Sequence, residues 1–204
     1  MEVVVPSWAR TRHLREFLQQ AGPWIRRKAA LLEERSGTVV PEPCQAGGEV
    51  MIDGQPRPLR VESRAGSPGV RFGDEVVVRL PPGPVDSLHD RTRKALVAAL
   101  RDQVRETART HIETYAPRLG VTPRGLRIKS QKTLWGSCGP TGLININWRL
   151  VGAPPEVLEY IVVHELCHLR ERNHAPRFWA LVAAQMPDYP RHRGWLKENG
   201  LRLG

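Results

Sequence analysis

Hydrophobic positions recur along this chain with two periods, and the changes of period divide it into elements. Leu14, Phe17 and Leu18, then Ile25, Ala29 and Leu32, repeat at helical spacing, predicting helices from Ser7 to Gln20 and from Trp24 to Arg35, broken at Gly22-Pro23. Glu2 to Val5 reads as a short strand ahead of them. From Gly37 to Pro84 the pattern becomes Gly, Pro and alternating β-branched residues. Asp53-Gly54 marks a hairpin between 49–52 and 57–63, and Gly73-Asp74 separates 70–72 from 75–80, predicting a small antiparallel sheet. Helical spacing returns at Leu96, Val97, Leu100, Val104, Ala108, His111, Ile112 and Tyr115, predicting one long helix from Asp86 to Ala116, closed by Pro117 and Gly120. Two strand-like runs follow, 125–132 and 142–150. In the second, Ile144, Ile146, Trp148 and Leu150 alternate with Asn145, Asn147 and Arg149.

The most informative pattern comes next. Val157, Leu158, Tyr160, Ile161, Val162 and Val163 are apolar on every side, the signature of a helix buried all round. That run ends in His164-Glu165-Leu166-Cys167-His168. At about 100° per residue, His164 and His168 lie roughly 40° apart on one helix face, one turn above the other. Polar groups in such a helix need partners, because unpaired burial is costly. Two imidazoles so placed can share a tetrahedral Zn²⁺, while Glu165 sits where a general base reaches the attacking water without binding the metal. Cys167 is about 60° off that face and reads as a buried core cysteine, not a ligand.

A third ligand is available if the helix ends. Continued helically, His174 would lie about 240° around from His168. The charged run Arg170-Glu171-Arg172 followed by Asn173 supplies an exit, and Pro176 suits the first turn of a new helix, 177–186. His174 then falls at the bend. A site of His164, His168 and His174 leaves the fourth position open to water, the arrangement of catalytic zinc, whereas a structural zinc takes four protein ligands.

Bulk properties narrow the setting. The chain has 204 residues, 40% hydrophobic, enough for one compact domain or for a core with an appended subdomain. No apolar run approaches a membrane span, the N-terminus lacks a signal-type segment, and Cys44, Cys138 and Cys167 form no disulfide framework, so a cytoplasmic protein is expected. The net charge of +10 suits a polyanionic partner. All but five of the 31 basic residues are arginine, however, which a GC-rich genome also produces, and no nucleic-acid motif accompanies the charge.

The stretches Trp135-Gly136-Ser137-Cys138, 144–150, Val163 to Leu169, Asn173-His174 and Phe178-Trp179 resemble the YgjP-like metallopeptidase domain family, related to SprT-like and WLM zinc peptidases. The likeness is specific from about Lys129 to Leu196. Leu134 departs from it, since the family usually has Arg before W-G-S-C. The resemblance implies an α+β, zincin-like domain binding Zn²⁺ through His164, His168 and His174, with Glu165 as catalytic base and a peptide or protein as substrate. It also implies that the strand before the metal helix, carrying Asn145, Asn147 and Arg149, is an edge strand that pairs with extended substrate.

These residues suggest an N-terminal helical arm and β-rich segment over 1–84 and a metal-dependent hydrolase domain over 85–204. Asn145, Asn147 and Arg149 are candidate substrate contacts, with ordinary structural roles the competing reading. Asp188 is a candidate partner for a ligand histidine, and Tyr189, His192 and Arg193 are candidates for stabilising an oxyanion. His111, on the apolar stripe of the long helix, reads as structural. A metallopeptidase is the leading function. A metal-dependent nucleoside triphosphate hydrolase using the same site, and a nucleic-acid-associated protein with structural zinc, are the alternatives.

Overall fold

A computed structural model describes residues 47–131 and 133–203, together with residues 22–23. The expected elements at 2–5, 7–20 and 24–35, and Cys44, lie outside the described residues. Of the two compact units, Met1–Val39 and Val40–Gly204, the second holds everything described below apart from that pair, including the β-rich segment.

Four strands open this unit: β1 (Glu49–Ile52), β2 (Gln55–Ser63), β3 (Gly69–Phe72) and β4 (Val76–Leu80). Asp53 and Gly54 both adopt positive φ, 53° and 76°, the conformation a two-residue hairpin needs, and β1 pairs antiparallel with β2. The sheet is not purely antiparallel as expected: its order is β1-β2-β4-β3, and β2 runs parallel to β4. Burial explains the exchange. Val76, Val77, Val78 and Leu80 of β4 are all buried, so β4 takes a central place, while the half-exposed β3 is left at the edge.

Helix α1 (Leu88–Leu119) follows a short 3-10 turn, and Gly120 caps it in the left-handed conformation. Leu96, Leu100, Val104 and Ala108 are buried along one stripe. The helix runs one turn beyond the expected end, because Pro117 stands in the last turn, where little of the hydrogen-bond ladder remains to be broken.

A second sheet has the order β5-β7-β6, from β5 (Gly125–Lys129), β6 (Gly136–Cys138) and β7 (Leu143–Asn147). Here the structure corrects the sequence reading: β7 is the middle strand, parallel to β5 and antiparallel to β6, and of the two edge strands, β5 and β6, it is β6 that packs on the helix that follows. Ile144 and Ile146 on β7 are completely buried, a burial that strands on both sides provide. The strand also stops at Asn147, not Leu150. The Asn147 side chain accepts from the Arg149 N–H and caps a 3-10 turn, Trp148–Gly152.

That turn leads into α2 (Pro155–Cys167), started by Pro155 at its first position. Val157, Leu158, Ile161, Val162, Val163 and Leu166 are buried, so the helix is central, as its all-round apolar sequence predicts. The packing of α2 against α1, β6, β7 and α4 (Tyr189–Asn199) places its C-terminal turn at the heart of the unit. Helix α3 (Pro176–Gln185) stands between, beginning at Pro176.

Candidate metal centre

Helix α2 ends earlier than its charged C-terminal run suggested, at Cys167, with His168 as the C-cap in right-handed helical conformation. The His168 N–H still donates to the His164 carbonyl, so the two rings keep their i, i+4 relation, with centroids 4.9 Å apart. Residues 168–170 turn away, and α3 begins at Pro176. His174, in the bend, brings its ring centroid to 5.0 Å from His164 and 4.7 Å from His168. One ligand atom from each of the three lies within 4.8 Å of the other two.

The donor chemistry fits a metal ion. His168 Nδ1 lies 3.1 Å from the Glu171 carbonyl, which accepts its proton and leaves Nε2 as the bare nitrogen. His164 Nδ1 faces the Tyr160 hydroxyl at 3.5 Å, and His164 Nε2 lies 3.0 Å from His174 Nε2. Two nitrogens on a tetrahedral zinc at ~2.0–2.1 Å are separated by ~3.3 Å, close to that spacing. Burial, then the neighbouring His168 and His174, then Arg193, push His164 down to about 3. Burial likewise lowers His168, opposed by its bond to Glu171. Both imidazoles are therefore neutral near pH 7, the form that binds a metal.

Beneath the three rings lies Phe178, fully buried, with its ring centroid 4.5 Å from His168 and 4.8 Å from both His164 and His174. Trp179 donates its indole N–H to the His174 carbonyl at 3.1 Å and stacks on the same imidazole, fixing the bend. Tyr189 stacks on both Trp179 and Tyr160, His192 tilts toward Tyr160 at 6.5 Å, and the Arg193 guanidinium lies 4.6 Å above Trp179. Helix α4 thus brings Tyr189, His192 and Arg193 to the rim of the histidine cluster. Asp188 is exposed just before it, and the imidazole partners are Tyr160 and the Glu171 carbonyl instead. Tyr160 was legible: it stands four residues before His164 on the same helix face. A backbone carbonyl leaves no mark in a sequence.

Glu165 is only 4% exposed, and burial pushes its carboxyl up to about 8. Its neighbour is the edge strand. A Cβ placed on Gly136 would lie 2.5 Å from Glu165 Oε1 and 2.8 Å from its Cγ, so only glycine lets the strand pass this close. The Trp135 carbonyl accepts from Asn147 and the Gly139 N–H donates to Leu143, so alternation directs the backbone groups of Gly136 and Cys138 outward, away from β7.

The polar residues of the preceding segment go elsewhere. Asn147 is 1% exposed and donates to the carbonyls of Gln131 and Leu134, at 2.7 and 3.0 Å. Asn145 donates to Ser137 Oγ at 3.1 Å, tying β7 to β6. Arg149 lies over the Trp148 ring and lines a groove with α1. Cys167 is buried, its thiol pushed up to about 12, and Cys138 and Cys167 are free thiols. His111 has an acidic neighbour that spacing did not show, Glu159 of α2 at 3.8 Å, whose carboxylate also accepts from Tyr115.

Three convergent imidazoles, with a buried carboxyl group directly after the first, are the equipment of a metal-dependent hydrolase. The chain belongs to the YgjP-like metallopeptidase domain family, whose model matches residues 1–199, and is a metallopeptidase by that membership. No curated protein matches it. Among solved structures, the metallopeptidase zymogen abylysin of Pyrococcus abyssi is similar at 25% identity and a TM-score of 0.35, over 37% of this chain and 76% of that one. The family assignment rests on the sequence match.

Proposed function

We propose that this protein is a zinc-dependent peptidase of zincin-like fold, with His164, His168 and His174 holding the metal and Glu165 acting as general base. The observation that carries the reading is the convergence of the three imidazoles beside a carboxylate that packs on an edge strand. When bound, zinc supplies Lewis acidity toward the scissile carbonyl and the attacking water.

The remaining work falls to the chain. Glu165, which follows His164 directly, accepts a proton from the water on its carboxylate and delivers it to the departing amine. Burial raises its pKa above the ordinary carboxylate value, which makes the deprotonated form a stronger base toward the water. The outward N–H and C=O groups of Gly136 and Cys138 pair with an extended peptide in the manner of an added strand, next to Glu165. Substrate pairing thus belongs to β6, one strand over from where the sequence placed it. Tyr189, His192 and Arg193 remain the groups available on the other rim to meet negative charge on the carbonyl oxygen.

The test is a parallel screen of peptides and nucleoside triphosphates with purified protein after zinc reconstitution. About one zinc per chain and chelator-sensitive cleavage of peptides are expected. Nucleotide hydrolysis without peptide cleavage, or zinc content near zero, would overturn the reading.

A further inference from the structure

The face of α1 that meets the Trp148–Gly152 turn carries Arg93, Lys94, Arg101 and Arg105 along a groove of about 710 Å³, with Trp148 and Arg149 on the opposite wall. From residue 93 to 105 the stripe is ~18 Å long at 1.5 Å per residue. Five cations share this concavity with two carboxylates, Asp90 and Asp102, and Asp102 is taken up by Arg105. Arg101 donates to the Ile128 carbonyl, which leaves its charge uncompensated. Arg93, Lys94 and Arg149 have no carboxylate partner among the described residues. Arg105, held by Asp102 one turn back, repeats the ordinary arrangement of a solvated helix face that Arg109 and Glu106 show, and Arg93, Lys94, Arg101 and Arg149 depart from it. Gathering like charges in a groove costs free energy unless an anion occupies it.

The aromatic residue decides what kind of anion. The Arg149 guanidinium lies 5.2 Å from the Trp148 ring, a flat cationic and π surface at one side of a linear row of cations. An acidic peptide would use the charges and leave that surface idle. A nucleic-acid strand uses both, with phosphates along the arginines and a base against the ring. We propose that this groove binds single-stranded nucleic acid, through its backbone and by stacking, at a surface separate from the histidine cluster. The inference does not depend on the peptidase reading.

Fluorescence anisotropy of the full chain with a 20-nucleotide oligo(dT) tests it. Three to four phosphate contacts predict log K falling with log salt at a slope of about −2 to −3. Arg93→Glu/Lys94→Glu should weaken binding by roughly tenfold or more and flatten the slope by about 1.4, as two contacts are lost. Both side chains are exposed, so the thermal midpoint should hold. Arg64→Glu/Arg71→Glu, an equal charge change at exposed positions of the four-stranded sheet region, outside the groove, should bind as wild type does. An abasic strand of the same length should bind roughly tenfold more weakly, and polyglutamate more weakly still. Equal loss in both double variants, equal affinity for oligo(dT) and polyglutamate, or no binding at low salt would overturn the proposal.

Discussion

On β7, Asn145 and Asn147 interrupt an apolar alternation; on α2, His164, Glu165 and His168 interrupt an apolar helix. The protein treats the two sets in opposite ways. Asn147 gives its amide protons to two carbonyls and takes the Arg149 N–H, and Asn145 reaches Ser137. On α2 the Nδ1 atoms are matched by Tyr160 and Glu171, while the Nε2 side of the cluster converges on common space and the Glu165 carboxyl is buried without a charge partner among the described residues. Polar residues in apolar surroundings thus divide by where their remaining valence points. Where it is met by backbone, the residue builds the fold; where several point at one another, a ligand is expected.

The sharpest way to test that division is Glu165→Gln. If the carboxylate serves chemistry, the amide should keep zinc and fold while peptide hydrolysis falls about 10²–10⁴-fold. Zinc content and rate measured on one preparation separate this from a ligand role, in which metal would be lost with activity.

The same substitution has a second consequence in metal-free protein. Glu165 rises from 4.5 to about 8 on folding, so between those values the native state holds a proton that the unfolded chain releases. This contribution to stability is present below pH 4.5 and is lost as pH rises toward 8, by at most about 1.4 kcal/mol per pH unit. His164, lowered from 6.5 to about 3, works oppositely below pH 6.5, so wild type alone gives a mixed curve. The difference between Glu165→Gln and wild type isolates the carboxyl. Chemical denaturation of the metal-free proteins should show that difference widening in favour of glutamine between pH 5 and 8.

On the asparagine side the effect belongs to stability. Asn147→Ala removes a buried side chain that serves two carbonyls and one N–H, a loss of about 1–3 kcal/mol. Denaturant midpoints should fall while zinc per folded chain stays constant.

How much of this was readable depends on which forces wrote it. The H-E-x-x-H spacing, the stripe of α1, the Asp53-Gly54 turn and the start of α3 at Pro176 follow from local periodicity and backbone preference, and these were legible. Strand order was not. That β7 lies between β5 and β6, and β4 between β2 and β3, depends on which strands can be covered on both sides, a property of the assembled unit. The same holds for Glu159 beside His111 and for the Glu171 carbonyl on His168, contacts made between segments far apart or by backbone alone. Gly136 is the instructive intermediate. Its position in W-G-S-C was visible, but the reason for glycine, a carboxylate at van der Waals distance, required the structure.

The smallest effect tests the boundary of the comparison, at Asn145. Its Nδ2 is 3.1 Å from Ser137 Oγ and 3.4 Å from the Ser137 carbonyl, so it fastens the middle strand to the edge strand beside Glu165. A half-buried neutral hydrogen bond of this kind contributes about 0.5–1.5 kcal/mol. Asn145→Ala should therefore cost no more than that in stability and raise KM for peptides a few-fold by loosening β6, with kcat nearly unchanged. Ser137→Ala removes the hydroxyl end of the same tether and should produce a similar shift. The double variant should then be little worse than either single one, because both changes act on one bond. If Asn145 contacted substrate directly, Ser137→Ala would instead leave kcat/KM near wild type, and the double variant would match Asn145→Ala alone. Peptide kinetics on the four proteins decide between a strut and a binding residue.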